Sequence, residues 1–244
     1  VDQRKRPGLL SLIWANNETG IFSPVGSASQ IASDRGWRLH LDGAQMAGKL
    51  PVDISCMSVD YLSLSSHKIY GPQGVGALYV REGSPYTPLI CGLQEGGKRG
   101  GTEPVALIVG FGEAARLAGL HMEDRRKQVL RLRDCLETDL RGFSNDAVVN
   151  GTNGERLPNT TSINLPGVDG EVLASLLSER GVYVSTGSAC KSSTPTPSHV
   201  LLAMGRSYED AGSTLRISLS HLNSDDDVGT LVAALSELVA VLKQ

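Results

Sequence analysis

The sequence is poor in the arrangements of cysteine and histidine that bind metals. Its four cysteines, Cys56, Cys91, Cys135 and Cys190, are scattered, with no pair at C-x-x-C spacing. That argues against a zinc knuckle or a thioredoxin-type dithiol. Its five histidines, His40, His67, His121, His199 and His221, never fall at H-x-x-x-H spacing, so no metal is expected. No apolar run approaches the roughly 18 residues of a membrane span. The opening VDQRKRPGLL carries charge without the apolar stretch of a secretory signal. Scattered cysteines without such a signal point to the cytoplasm. An organelle matrix stays open because the chain begins at Val1 rather than Met, as if an amino-terminal segment were missing. A net charge of −3 leaves no electrostatic footprint for nucleic acid. With 40% hydrophobic and 20% charged residues over 244 positions, the chain is too apolar to stay disordered. It is long enough for one large domain or two modest ones.

Glycine is abundant, at 28 of 244 residues, or about 11% against a usual ~7%. It clusters in the first 112 positions, where the chain alternates short apolar strands with helical stretches. Residues 9–15 form an apolar run ending in Asn16-Asn17; residues 24–34 have helical character; residues 37–41 form a strand ending at Asp42. Residues 59–64 run into Ser65-Ser66-His67-Lys68, and residues 75–80 form a further strand. This alternation predicts an α/β layer with a largely parallel sheet, in which ligands bind at the carboxyl ends of the strands. Helical periodicity over 104–143 predicts a long connector between two domains, 1–118 and 119–244, with Gly119 as a break. The second domain reads as a smaller α+β unit: a strand at 162–165, a helix at 170–180 closed by Gly181, a strand at 215–219, and a helix at 224–243 capped by Ser224.

Polar residues at those strand ends are the candidates for chemistry, and each has an ordinary alternative. Lys68, partly desolvated at a strand end, suits a Schiff-base nucleophile; the alternative is a surface lysine. Asp42 suits a cofactor's protonated ring nitrogen; the alternative is a helix cap for residues 45–49. Asn16-Asn17 would bind a ligand oxygen or simply make a turn. Residues 71–76, GPQGVG, match no nucleotide-binding loop, since a strand and not a helix follows them. The Gly-rich loop 94–103 brings Thr102 close to the start of the long helix, where phosphate binds well; the alternative is an interdomain loop. Cys190 lies in a stretch of small polar residues with Lys191 beside it to favour the thiolate, which suits a nucleophile that moves; the alternative is an accidental loop cysteine. Arg216, among apolar neighbours in a strand, needs a partner. That partner is a substrate carboxylate, a protein carboxylate, or solvent at a sheet edge.

The order of these blocks is more specific than any one of them. Ala15-Asn16-Asn17-Glu18-Thr19-Gly20, Asp42-x-x-Gln45, Ser65-x-His67-Lys68-x-Tyr70-Gly71-Pro72-x-Gly74, Gln94-Glu95, Arg99-Gly100-Gly101-Thr102-Glu103, Gly187-Ser188-Ala189-Cys190 and Arg216-x-Ser218 follow one another along essentially the whole chain. Together they resemble the cysteine desulfurases, NifS-like members of the class V aminotransferases that include selenocysteine lyases. The resemblance implies fold type I of the pyridoxal 5'-phosphate (PLP) enzymes: a PLP-dependent transferase-like large α/β domain with a mainly parallel sheet, then a smaller α+β domain.

It also implies roles. Lys68 would carry PLP covalently and move the substrate's α-proton. Asp42 would pair with the pyridine nitrogen, Gln45 would lie near the phenolic oxygen, and Asn17 would lie near that oxygen and the substrate carboxylate. Ser65 and His67 would bind the phosphate, and Thr102 the phosphate of a neighbouring subunit, which implies a homodimer. Arg216 would bind the carboxylate, and Cys190 would accept sulfur. L-cysteine would become L-alanine, leaving a persulfide for a sulfur acceptor or iron–sulfur scaffold protein; L-selenocysteine is the alternative substrate. Two departures stand out. The family's segment ahead of the Asn-Asn block, with an aromatic residue that stacks on the ring, is absent, and Cys91 stands where the family usually has glycine. The alternatives are therefore a non-catalytic fragment of such an enzyme, or a thiol enzyme without PLP, which would leave Lys68, Asp42 and Gln45 unexplained.

Overall fold

The structure, a computed structural model, describes residues 8–143, 146–187 and 197–244. The chain forms two compact units, Val1–Ala15 with Ser23–Met122, and Asn16–Phe22 with Glu123–Gln244.

In the first unit, strands β1 (Leu9–Ile13), β2 (Arg38–Asp42), β3 (Tyr61–Ser65) and β4 (Gly76–Val80) lie side by side in sequence order. β1, β2 and β3 are mutually parallel, whereas β4 runs antiparallel to β3. The reversal follows from loop length. Only residues 66–75 separate β3 from β4, and a parallel return needs a crossover of about a dozen residues or more. β2 alternates as a half-buried strand should, with Leu39 and Leu41 fully buried. Helix α1 (Val25–Arg35) turns Ala28, Ser29 and Ala32 inward and ends at Gly36, whose φ of 64° is the left-handed stop that glycine adopts without strain. Helix α2 runs unbroken from Val105 to Phe143, so the break expected at Gly119 does not occur. One exposed glycine costs a helix only about 1 kcal/mol, and the hydrogen bonds on either side carry it through. By length and composition alone α2 could cross a membrane; the Glu113–Arg116 ion pair (2.7 Å) lies on its apolar stretch.

The second unit is antiparallel, with strand order β5 (Val148–Val149), β6 (Thr160–Asn164), β8 (Thr214–Ser218), β7 (Ser185–Thr186). Helices α3 (Gly170–Glu179) and α6 (Asp225–Leu242) contribute to one apolar core with the sheet and the later turns of α2, through Leu132, Leu136, Ile163, Leu173, Leu215 and Leu235. Ser224 caps α6 in a reciprocal capping box with Asp227, as expected from the sequence. The short helices α4 (His199–Ala203) and α5 (Tyr208–Gly212) were not foreseen, because five residues are too few to show a period. Residues Asn16–Phe22 join this unit through an Ile21–Arg156 bridge and through backbone bonds from Phe22 to Glu155 (3.0 Å) and from Leu157 to Gly20 (2.9 Å). Arg156 and Glu137 form a buried ion pair (2.9 Å), and Thr161 donates a further bond to Glu137.

Candidate active site

In the first unit, three parallel strands place their carboxyl ends along one edge. Asp42 ends β2 in register with Ile13 of β1 and Ser63 of β3, and Ser65 ends β3. After Asp42 the chain turns at once. The Asp42 Oδ1 accepts a bond from the Ala44 N–H (2.9 Å), which shapes the turn carrying Gln45. Residues 44–49 form turns and not the helix expected at 45–49, so Asp42 shapes a turn and does not cap a helix. After Ser65, one turn of 3₁₀ helix (Ser66–Ile69) carries His67 and Lys68 and is closed by Tyr70 in the left-handed region, φ 68°. Ser65 Oγ and His67 Nδ1 are 2.9 Å apart, so the two expected phosphate ligands form one polar pair. Lys68 is exposed.

Lys49, which the sequence did not single out, belongs to this neighbourhood. Its ammonium donates to the Gln45 carbonyl (2.8 Å). Its pKa is pushed down to about 8, first by burial and then by the positive charge of Lys68. The turn after Asp42 and the turn after Ser65 are also packed tightly together at Gly48, where a Cβ would stand 2.7 Å from Ile69 Cγ2. Thr102 is exposed, three residues ahead of α2. The donor set of this unit is a lysine amine, a strand-end carboxylate, a hydroxyl–imidazole pair and the ammonium of Lys49. Such a set suits an anionic aldehyde cofactor with a basic ring nitrogen, so the residues fit PLP.

The second unit holds Asn17 and Arg216. Asn16 makes the turn: its side-chain carbonyl accepts from the Glu18 N–H (2.9 Å), the Thr19 N–H (3.0 Å) and the Thr19 hydroxyl (3.2 Å). That fixes the backbone of Asn17, whose carbonyl accepts a bond from Arg216 Nη1 (3.2 Å). Arg216 sits on β8 with β6 and β7 on either side, opposite Ser162 and Ser185, so the sheet-edge reading of this arginine falls away. Glu18, also not singled out beforehand, is buried and accepts a bond from the Ser198 hydroxyl. The signal was its place inside the Asn-Asn block. Cys190 lies outside the described residues; Gly187 and Ser198, which flank its segment, lie within them.

The chain is similar to known proteins in sequence and in fold. A cysteine desulfurase from Gluconacetobacter diazotrophicus is 41% identical over 240 residues, covering 98% of this chain and 60% of the relative. A solved NifS-like protein from Rickettsia africae superposes with a TM-score of 0.88 at 33% identity, over 97% of this chain and 62% of that one. A structure described as SspA in complex with cysteine does so with a TM-score of 0.72 at 36% identity, over 89% of this chain and 60% of that one. The α/β fold is thus that of NifS-like proteins, and the chain spans about three fifths of the length of the relatives it matches. Since the model of the family "Aminotransferase class-V" matches residues 3–231, from ahead of β1 into α6, the chain belongs to the class-V aminotransferases.

Proposed function

We propose that this chain carries the chemistry of a PLP-dependent cysteine desulfurase. The observation that carries the reading is the lysine pair: Lys68 follows the strand next to Asp42, and its charge helps hold Lys49 down to about 8. A site with excess positive charge beside one carboxylate favours a phosphorylated cofactor whose ring nitrogen needs an acidic partner. Lys68 would hold PLP covalently, Asp42 would pair with its ring nitrogen, and Gln45, Ser65, His67 and Thr102 would bind its oxygens. Bound there, PLP supplies an electron sink for the charge developed at the substrate's α-carbon.

The chain's own residues do the rest. Lys68, as a free amine, takes the α-proton and returns it. Arg216 binds a carboxylate through charge-assisted bonds, and Asn17 lies beside it. The Cys190 thiolate attacks the sulfur of L-cysteine. An S–S bond forms, the substrate's Cβ–S bond breaks, and the carbon skeleton takes up a proton and leaves as L-alanine. The outer sulfur of the Cys190 persulfide then passes to an acceptor protein. We assign cofactor binding to residues 1–118 and sulfur acceptance to residues 119–244, with a homodimer as the working assembly and the cytoplasm as its compartment. Neither nucleic acid nor membrane has a part in this reading.

The test is a reconstitution. The chain incubated with PLP should develop a visible absorbance that Lys68→Ala abolishes, and should release alanine from L-cysteine, with L-selenocysteine compared in parallel. If the chain stays colourless while a version extended at the amino terminus works, this chain is a non-catalytic portion of the enzyme. If the extended version is colourless too, the reading is wrong.

A further inference from the structure

The two faces of the second sheet differ in kind. Ile163, Leu215 and Ile217 enter the apolar core, so Ser162, Asn164, Thr214 and Arg216 share the opposite face. That face is polar, yet Ser162, Asn164 and Thr214 are all buried in it. One row across it is continuous. The Asn150 N–H, just beyond β5, donates to the Ser162 carbonyl (2.8 Å). Ser162 stands directly opposite Arg216, and Arg216 directly opposite Ser185. Directly opposite side chains of an antiparallel pair lie on one face, with Cβ atoms about 4.5–5.5 Å apart. Side chains extend the row. Asn150 Nδ2 donates to Ser162 Oγ (3.1 Å), and Arg206 Nε donates to Asn150 Oδ1 (2.8 Å). Arg206, Asn150, Ser162 and Arg216 all belong to the second unit.

The direction of these bonds is forced. A guanidinium has donors and no acceptor. The atom of the Asn150 amide that faces Arg206 is therefore the oxygen, and the NH2 group is left to face Ser162. Asn150 has no exposed surface, so its amide must find its partners within the fold. Ser162 must then accept, which occupies one of its two lone pairs and turns its own proton away from Asn150. With the amide turned round, Ser162 would give that proton to the amide oxygen and keep both lone pairs for the guanidinium across the strand pair. We propose that Arg206 is a positioning residue for Arg216: by fixing the Asn150 amide it makes Ser162 a poor acceptor, and so keeps the Arg216 guanidinium available to a substrate carboxylate. The proposal rests on the desulfurase reading, in which Arg216 binds that carboxylate. With Arg206 gone, the field of Arg216 favours the turned amide, oxygen inward, and Arg216 settles on Ser162. Binding of the carboxylate responds, and proton transfer by Lys68 does not.

The experiment measures alanine formation from L-cysteine by the PLP-loaded protein and three variants. Arg206→Leu offers the amide no partner, and Arg206→Lys can only donate. The Arg206→Leu/Ser162→Ala double removes the competing acceptor. Arg206→Leu should raise KM for L-cysteine by about 3- to 30-fold and leave kcat within about twofold of wild type. Arg206→Lys should stay within about twofold of wild type in both constants. The double variant should recover most of the lost affinity, because Arg216 then has no hydroxyl to settle on. A fall in kcat with KM unchanged, no effect of Arg206→Leu, or an equal loss in Arg206→Lys would overturn the proposal. So would a double variant no better than Arg206→Leu, the result expected if Arg206 acted only through its charge or its packing.

A second readout needs no cofactor. In the chain carrying 15N-labelled arginine, the Nε–H signal of Arg216 is assigned by its loss in Arg216→Lys. That signal should move in Arg206→Leu and hold its place in Arg206→Lys; a signal unmoved in Arg206→Leu overturns the proposal. If wild type forms no alanine while this arm behaves as expected, the desulfurase reading fails and the link from Arg206 to Arg216 stands. If Arg206→Leu does not fold, Arg206→Gln takes its place, because glutamine can meet either end of the amide and leaves it able to turn.

Discussion

In the second unit, leucines from α2, α3 and α6 and the branched residues of β6 and β8 close over one another, and Leu136, Leu173, Leu215 and Leu235 have no exposed surface at all. In the first unit, the cluster under α2 consists of Ile69, Ala114 and Ala118, and large apolar side chains such as Leu78, Leu89, Leu93 and Val109 remain exposed. The polar groups differ in the same direction. The second unit buries an arginine–glutamate pair outright, while the first pairs a half-exposed Arg38 with a buried Asp60. Gly48 lets the turns after β2 and β3 approach closely enough to share one electrostatic neighbourhood. The first unit is built for proximity and the second for packing.

The largest effect is expected at Arg156. Arg156→Ala leaves Glu137 buried with its main counter-charge gone and should cost about 3–5 kcal/mol in urea unfolding, whereas Arg38→Ala, at a side chain 46% exposed, should cost much less. Equal costs would break the comparison. Lys49 sharpens it from the other side. Its pKa is about 8 in the folded protein against 10.5 in the open chain. Below pH 8 both states are protonated and the cost of burying the charge is felt in full. Between the two values only the unfolded state holds the proton, so stability rises with pH, by up to about 3 kcal/mol across the window. Lys49→Met should remove that rise; unfolding midpoints of variant and wild type from pH 7 to 10 measure it, and parallel curves would refute it. The smallest effect is expected at Leu78, 46% exposed on β4, where Leu78→Ser should shift stability by no more than about 0.5 kcal/mol. A larger loss would mean that the first unit packs more tightly than its surfaces indicate.

Much of the first unit was legible because each strand is a short apolar run that stops at a polar residue, and a parallel layer turns such stops into a site. Asp42 and Ser65-x-His67-Lys68 were singled out in this way, and the structure sets Asp42 and Ser65 at the carboxyl ends of neighbouring strands. The reversal of β4 was not read, although the shortness of its connection contains it. Lys49 and Glu18 escaped for a different reason. One matters through burial and a neighbouring charge, the other through contacts with Gly187 and Ser198, and neither quantity has a local signature. The membership of Asn16–Phe22 in the second unit is equally non-local, resting on a bridge to Arg156 far along the chain. Arg216 was found as a charge in an apolar strand, but only the pairing of β8 on both sides settled that it is not at an edge.

The rungs that bound the Lys68 turn are Ser65 and Gly76, directly paired and eleven positions apart. The bond from Arg216 to Asn17 closes a loop of 199 positions. Loop-closure entropy grows with length, and contacts distant in sequence slow folding. The lysine turn can therefore form early and locally, as an ordinary hairpin does. The arginine site must wait until β6, β8 and β7 have found their order. A ribosome making this chain would expose a nearly finished lysine turn long before Arg216 had left the exit tunnel.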